Sequence, residues 1–298
     1  MKAYIFPTIL LVLLGAIVLN LEELTDYTAD LVSSEPEVMI EPANSYAQNN
    51  DYVYVQKADD FVPYSKQDLL NILYSIFDNG YDTFTFYCPS EYASCLADVE
   101  DLTNNQTVIT DIGNFVHPFN NFTYLKVTTD SLGGVNVVVT KSYTDEMIEA
   151  INAKLDRIFA EQLTADMALE DKILKIHDYI IDTTYYDQNG GDNSGNAYGT
   201  LLDGKSKCAG YADAMAIALS KLGVKNFKVA SSKHVWNAIY LNGEWSQIDL
   251  TWDDPIVQDG ATVTDTIRHK FYMIDTNTLL SYDTLEHTFD KNVYVEVR

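Results

Sequence analysis

The chain has 298 residues, 47% apolar and 12% aromatic with 21 tyrosines, enough to bury a substantial core in one large domain or two small ones. Its 19 Lys and Arg against 44 Asp and Glu leave a net charge of -25. The acidic residues are dispersed rather than run together as a tail, and a surface of that sign repels nucleic-acid phosphates and anionic headgroups, so nucleic acid is not expected as a partner.

From Met1 to Leu21, Lys2 is followed by a nearly unbroken apolar run from Tyr4 to Leu19, closed by Glu22 and Glu23. Such a segment is either a secretory signal peptide or an uncleaved membrane anchor. Gly15 and Ala16 are adjacent rather than alternating, and Ile17, Val18 and Leu19 follow them, so a small-x-small cleavage site is hard to find. The run is near the lower limit of about 17 residues for a span. The expectation is an N-terminal anchor over 1–21, with Lys2 inside and the acidic body outside. The protein would then be extracytoplasmic, membrane-anchored or secreted. Residues 22–60, polar and acidic with little periodicity, read as a flexible tether.

Folding signals begin at Ser65-Lys66-Gln67-Asp68, a capping-box-like start with Asp in place of Glu. A helix follows with Leu69, Leu70, Ile72, Leu73, Ile76 and Phe77 inward, and Gly80 suits its stop. A strand over 83–87 and a helix around 92–102 come next. The runs 122–129 and 135–142 flank Leu132-Gly133-Gly134 as a hairpin, and a long helix over 144–162 leads onward. These elements predict a small α+β domain of unassigned role over 61–163 and a second domain over 164–298. Cys88 and Cys95 are close enough in sequence to close a small disulfide loop, leaving Cys208 unpaired; the alternative is two reduced core residues.

The second domain opens with a helix near 168–181 whose Ile173, Leu174, His177, Ile180 and Ile181 share one face, so His177 reads as packing. The Gly-, Asn- and Asp-rich stretch 187–195 fails as an EF-hand loop. Counted from Asp187, its fifth, sixth and twelfth positions are Gly191, Asp192 and Tyr198. It reads as a loop bordering a cleft. Cys208 then starts a segment with Ala214, Met215, Ala218, Leu219 and Leu222 on one face, ending at Gly223, with Ser206 as N-cap. The sulfur would sit at the positive end of the helix dipole, and Lys205 and Lys207 add positive charge; both favour a thiolate.

Residues 235–241 and 244–250 are strand-like and joined by Asn242-Gly243, the preferred type I′ turn. That turn pairs Leu241 with Glu244, and counting outward pairs Tyr240 with Trp245, Trp236 with Asp249 and His234 with Thr251. His234, Trp236 and Asp249 then share a face. Asp249 is the diagonal neighbour of His234, with backbones about 7–8 Å apart, a gap their side chains can close. Cys208 would attack, His234 would shuttle the proton, and Asp249 would orient the imidazole. The backbone N–H of Cys208 is a candidate oxyanion donor. Trp236, Tyr211 and Trp252 are candidates for the substrate cleft.

Three clusters in this order, Cys208-Ala209-Gly210-Tyr211-Ala212, His234-Val235-Trp236-Asn237 and Asp249-Leu250-Thr251-Trp252-Asp253-Asp254-Pro255, resemble the Cys-His-Asp core of the transglutaminase-like superfamily. These are the papain-related cysteine acyltransferases and peptidases, and the resemblance covers roughly residues 168–290. It implies an α+β fold: a papain-like transglutaminase-core domain, with the nucleophile helix packed on an antiparallel sheet, preceded by the smaller α+β domain. His177-Asp178-Tyr179, followed by Tyr186-Asp187, is similar to the helix that precedes the nucleophile there, a structural role. Lys205-Ser206-Lys207 departs from relatives that often place a small or apolar residue before the cysteine, which bears on substrate preference.

The resemblance implies cysteine-nucleophile acyl transfer on amide bonds of an extracytoplasmic protein or cell-wall peptide, with hydrolysis by a peptidase or amidase as the leading form. A protein-crosslinking transglutaminase and a non-catalytic peptide- or glycan-binding module are the alternatives. No cofactor is required, although calcium stays open because some relatives use it. No metal ligands are assigned: the five histidines show no HExxH-type pairing, and His269 and His287 read as surface or packing residues.

Overall fold

A computed structural model describes residues 41–254 and 268–298. The expected anchor over 1–21, the tether up to residue 40 and Pro255 lie outside the described residues. Among the described residues, no helix is long and apolar enough to cross a membrane.

Helix α1 (Lys66–Asp78) starts as its sequence demands: the Ser65 hydroxyl accepts from the Asp68 N–H at 3.2 Å. The reciprocal bond runs from the Tyr64 N–H to the Asp68 carboxylate at 2.9 Å. The helix buries Leu69, Ile72, Leu73, Ile76 and Phe77, and the chain leaves it through Gly80 at φ +70°. Strand β1 (Thr83–Tyr87) is joined by the Cys88–Cys95 disulfide to the start of α2 (Cys95–Asn104). A further helix, α3 (Gln106–Asn114), was not foreseen. Asn105 separates it from α2 and caps it, accepting from the N–H groups of Thr107 and Val108. Strands β2 (Phe122–Thr129) and β3 (Gly134–Lys141) form the expected hairpin, and β1 adds to its other side in an antiparallel sheet of order β1-β3-β2. Helix α4 (Asp145–Gln162), capped by Thr144, follows.

Helix α5 (Leu169–Thr183) leads to a short parallel ladder between β4 (Tyr185–Tyr186) and β5 (Lys205–Ser206). Helix α6 (Cys208–Lys221) then packs on an antiparallel sheet of β6 (Asn226–Ala230), β7 (Val235–Leu241) and β8 (Glu244–Ile248), in that order. A one-sided apolar stripe was expected for α6, yet Gly210 through Leu219 are all buried. Its many alanines let neighbours approach on every side, and a helix apolar all round belongs in a core. Its one buried charge, Asp213, is met by Lys228 of β6 at 2.6 Å and by the Tyr143 hydroxyl at 2.6 Å. That hydroxyl in turn accepts the Ala197 N–H at 2.8 Å. Helices α7 (Leu250–Asp253) and α8 (Thr276–Tyr282) complete the described elements used below.

Two expectations about organisation need correction. Residues 42–60 are not tether: Tyr52 and Val55 are buried, the Tyr52 hydroxyl donates to the Asn226 carbonyl, and the Asp78 carboxylate accepts the N–H groups of Gln48 and Asn49. A segment with two apolar plugs and satisfied polar backbone folds without showing any periodicity. The boundary at 163/164 does not divide two cores either. Residues 42–298 form one compact unit. Leu69, Phe77, Phe115 and Val137 share a cluster with Phe227, Trp236, Phe289 and Tyr294, while Ile151 and Leu155 of α4 pack with Ile173, Ala214 and Ile239.

Candidate active site

Cys208 is the first residue of α6, half-buried and unpaired. The N-cap position is Lys207, with no side chain bonded to the first turn. Ser206, expected there, instead points into the preceding loop, where its hydroxyl meets that of Thr200 at 2.7 Å and the Ser194 carbonyl at 3.2 Å. An uncapped helix start leaves backbone N–H donors for a bound group. The close approach depends on Gly210: a Cβ there would stand 2.1 Å from the Ser206 hydroxyl oxygen and 2.7 Å from the Asn196 carbonyl oxygen.

The hairpin forms as its turn dictates. Asn242 and Gly243 both have positive φ, +54° and +88°, and the register runs from Leu241 opposite Glu244 through Tyr240 opposite Trp245 to Asn237 opposite Ile248. The ladder stops there, short of the expected pairs Trp236–Asp249 and His234–Thr251. Asp249 leaves the strand because it caps α7, its Oδ1 accepting the N–H groups of Thr251 at 2.9 Å and Trp252 at 3.2 Å. His234 precedes β7 in a Ser231-anchored turn. From these two ends the side chains meet: His234 Nε2 lies 2.5 Å from Asp249 Oδ2.

With Nε2 committed to Asp249, Nδ1 is the ring nitrogen left over, and Cys208 is near enough to the ring to help hold a proton on it. Burial disfavours charge on His234. The negative charge and hydrogen bond of Asp249, with a further contribution from Cys208, outweigh it and hold the imidazolium well above the usual histidine range. Burial likewise pushes the Asp249 carboxyl up, but the charge and hydrogen bond of His234 and the hydrogen bond of His287 hold it below the usual carboxylate range. The arrangement can keep a proton on the imidazole beside the Cys208 thiol.

The three cleft candidates fare differently. Trp236 is 1% exposed. Its ring stacks on His234 with centroids 5.7 Å apart and its Nε1–H donates to Gln247, so it backs the imidazole instead of facing substrate. Tyr211 is equally buried and donates to Asp254. Trp252, 37% exposed, keeps an edge open to solvent beside His287. Tyr186 was not foreseen as a neighbour of the site; burial and then the charges of Cys208 and Glu286 push the pKa of its hydroxyl up.

His177 packs as expected, fully buried between Asp178 at 3.0 Å and Asp253 at 3.3 Å, linking α5 to α7. Burial disfavours its charge, and the two carboxylates overcome that penalty. His269 is half-buried and sits 2.7 Å from Asp178. His287 was read as a surface or packing residue and is neither surface nor plain packing. It is fully buried, with Nε2 2.9 Å from Asp249 Oδ2 and Nδ1 3.0 Å from Asp283. Two groups among the described residues have three metal-ligating side chains within reach of one another, His177-Asp178-His269 and His234-Asp249-His287. In both, nitrogen and oxygen lie 2.5–3.0 Å apart, bonded directly to each other. That is hydrogen-bond spacing.

Residues 157–250 match the family profile of the transglutaminase-like superfamily. No curated protein matches the chain. Among solved structures, a TGase aligns at 15% identity over 57% of this chain and 53% of its own, with a TM-score of 0.32. A candidate cysteine protease from Cytophaga hutchinsonii aligns at 13% identity over 43% of this chain and 61% of its own, with a TM-score of 0.29. Menin, in a structure revealing its binding site for Mixed Lineage Leukemia (MLL) protein, aligns at 17% identity over 43% of this chain and 28% of its own, with a TM-score of 0.29. The chain thus spans less than two thirds of the length of each.

Proposed function

We propose that this chain, transglutaminase-like over residues 157–250, is an extracytoplasmic cysteine acyl-transfer enzyme acting on amide bonds of proteins or cell-wall peptides. The observation that carries the reading is the His234 ring, with one nitrogen bonded to Asp249 and the other left for a half-buried thiol at an uncapped helix start. In the first step the Cys208 thiolate attacks the amide carbonyl carbon, and the oxyanion that forms takes the Cys208 backbone N–H. His234 then gives its Nδ1 proton to the leaving amine, and the C–N bond breaks to leave a thioester on Cys208. In the second step His234 takes a proton from the incoming acceptor, whose attack on the thioester carbonyl breaks the C–S bond, releases the acyl group and restores the thiolate beside the imidazolium.

Water is the acceptor we favour. Cys208 is half-buried and Trp252 and Tyr186 keep surface open to solvent, which supports access of water to a thioester on Cys208. A lysine-type amine in its place would make the protein a crosslinking transglutaminase. The Cys88–Cys95 disulfide supports an oxidising compartment. An apolar N-terminal segment that exports or tethers the chain suits the same assignment.

The test is the rate of iodoacetamide labelling of Cys208 between pH 4 and 9, with His234→Ala as control. Labelling that persists well below the value of about 8.5 for a free thiol, and disappears in the control, is the expected result. Labelling that follows an ordinary or buried thiol would leave the binding-module reading in its place.

A further inference from the structure

Asp249 is more heavily bonded than an orienting carboxylate needs to be. Its Oδ1 takes two backbone N–H groups of α7, and its Oδ2 takes two imidazoles, His234 at 2.5 Å and His287 at 2.9 Å. His287 reaches it from the irregular segment after α8, 38 residues along the chain. That ring is itself held from the other side: Nδ1 meets Asp283, whose carboxylate also accepts the Glu286 N–H at 2.8 Å. Trp236 from β7, Trp252 from α7 and Phe271 enclose the ring, with Phe271 stacked on it at 5.4 Å. The titratable groups facing it are Asp249 and Asp283 on its two nitrogens and His234, 5.3 Å away ring to ring. Glu286 is its chain neighbour, and Cys208 lies beyond His234.

From this geometry we infer that His287 is a positioning residue of the reaction: its Nε2–H fixes the Asp249 carboxylate on His234, and Asp283 fixes His287, so the working unit is Cys208–His234–Asp249–His287–Asp283. The inference rests on the triad reading above. An ionised carboxylate only accepts, so Nε2 of His287 must carry hydrogen for the contact to be a bond. A carboxylate held by both backbone and imidazole cannot swing away when His234 turns toward the leaving group, which is the use of a second layer of hydrogen bonds around a reacting shell. Without the Nε2–H, Asp249 loses one charge-assisted donor and part of its hold on the imidazolium.

The experiment compares iodoacetamide labelling of Cys208 in the wild type, His287→Phe, His287→Gln and His287→Asn from pH 4 to 9. Phenylalanine keeps the packing against Trp236 and Phe271 without the donor. Glutamine places an amide nitrogen near the position of Nε2, and asparagine places one near Nδ1. For a hydrogen bond to a charged group, a loss of about ten- to hundredfold in labelling on the acid limb of the profile is expected for Phe and Asn. That limb should move up by about one to two pH units, with recovery in Gln. A folded His287→Phe protein with the wild-type profile, or a Gln variant as impaired as Phe, would overturn the inference. In the wild type, 15N NMR of the imidazoles gives a second reading independent of variant folding: His287 must carry hydrogen on Nε2 from pH 5 to 8, and a bare Nε2 would also overturn it. If the wild-type thiol itself labels as an ordinary one, it is the triad reading that fails, a result separable from both of these.

Discussion

Replacing Asp249 with asparagine isolates what the carboxylate does for the imidazole. Oδ1 of the new side chain can keep the Thr251 and Trp252 N–H groups that position Asp249, so the start of α7 should survive. The amide nitrogen, however, now faces two imidazole nitrogens that previously donated to Oδ2. His234 must then present a bare Nε2 and carry its hydrogen on Nδ1, the side facing the thiol, where it can no longer accept a proton. The imidazolium also loses its counter-charge: two unit charges about 4 Å apart at an effective dielectric of about 20 attract by about 4 kcal/mol. That is worth about three decades in rate, and with the reversed tautomer turnover should fall about 10^3- to 10^4-fold. Labelling has a floor, because an unassisted thiol near 8.5 is still about 0.3% ionised at pH 6, so the alkylation rate should fall between two and three decades there. The assay is the second-order labelling rate of Cys208 by mass spectrometry at pH 6, with near-UV circular dichroism to establish that the variant is folded. A folded Asp249→Asn protein labelling within about fivefold of wild type would refute the role assigned to the carboxylate.

Two predictions concern stability. Lys228→Met should cost about 3–5 kcal/mol in urea unfolding, because it strands Asp213 where both partners are nearly dry; pairing it with Asp213→Leu should recover much of that, and a single-variant loss under about 1 kcal/mol would show that water reaches the site. Burial pushes the Asp254 carboxyl up to about 6; the Tyr211 hydrogen bond and Arg268 oppose it and Asp182 adds to it. The folded protein therefore holds this proton more tightly than the unfolded chain, so the stability it contributes is full below the ordinary value of 3.8 and is lost as pH rises through about 6. Asp254→Asn should accordingly raise the melting temperature at pH 8 and leave it unchanged at pH 4; an equal effect at both would contradict the assigned sign.

Local rules with strong geometric demands were readable from the residues alone. Asn242-Gly243 admits a type I′ turn, and that turn fixes Tyr240 opposite Trp245, which is how the hairpin forms. A cysteine before an alanine-rich segment ending at Gly223 marked a helix start, although Lys207 rather than Ser206 occupies the cap. What the residues could not disclose is which way an aromatic faces once the sheet is covered on both sides: Trp236 and Tyr211 have the chemistry of cleft walls and the burial of core. His287 was hidden for another reason. It sits in a stretch with no periodicity, and its partner Asp249 is brought to it only by the packing of α7 and α8, a contact that no local spacing encodes. The stretch 42–60 was misread as tether because its order comes from hydrogen bonds to Asp78 and two buried side chains, neither of which leaves a pattern.

Trp236 belongs at once to the imidazole and to the large core cluster. One face of its indole supports the His234 ring, and the residue is buried in the same cluster as Val55, Phe77 and Val137. Those three residues come from the half of the chain without any reacting group. Loosening the N-terminal half would therefore remove the wall behind the histidine, and the reactivity proposed for Cys208 would fade with the cooperative unfolding of the whole body. Seen this way, the part of the protein with no assigned chemistry would set a thermal limit on the part proposed to have it.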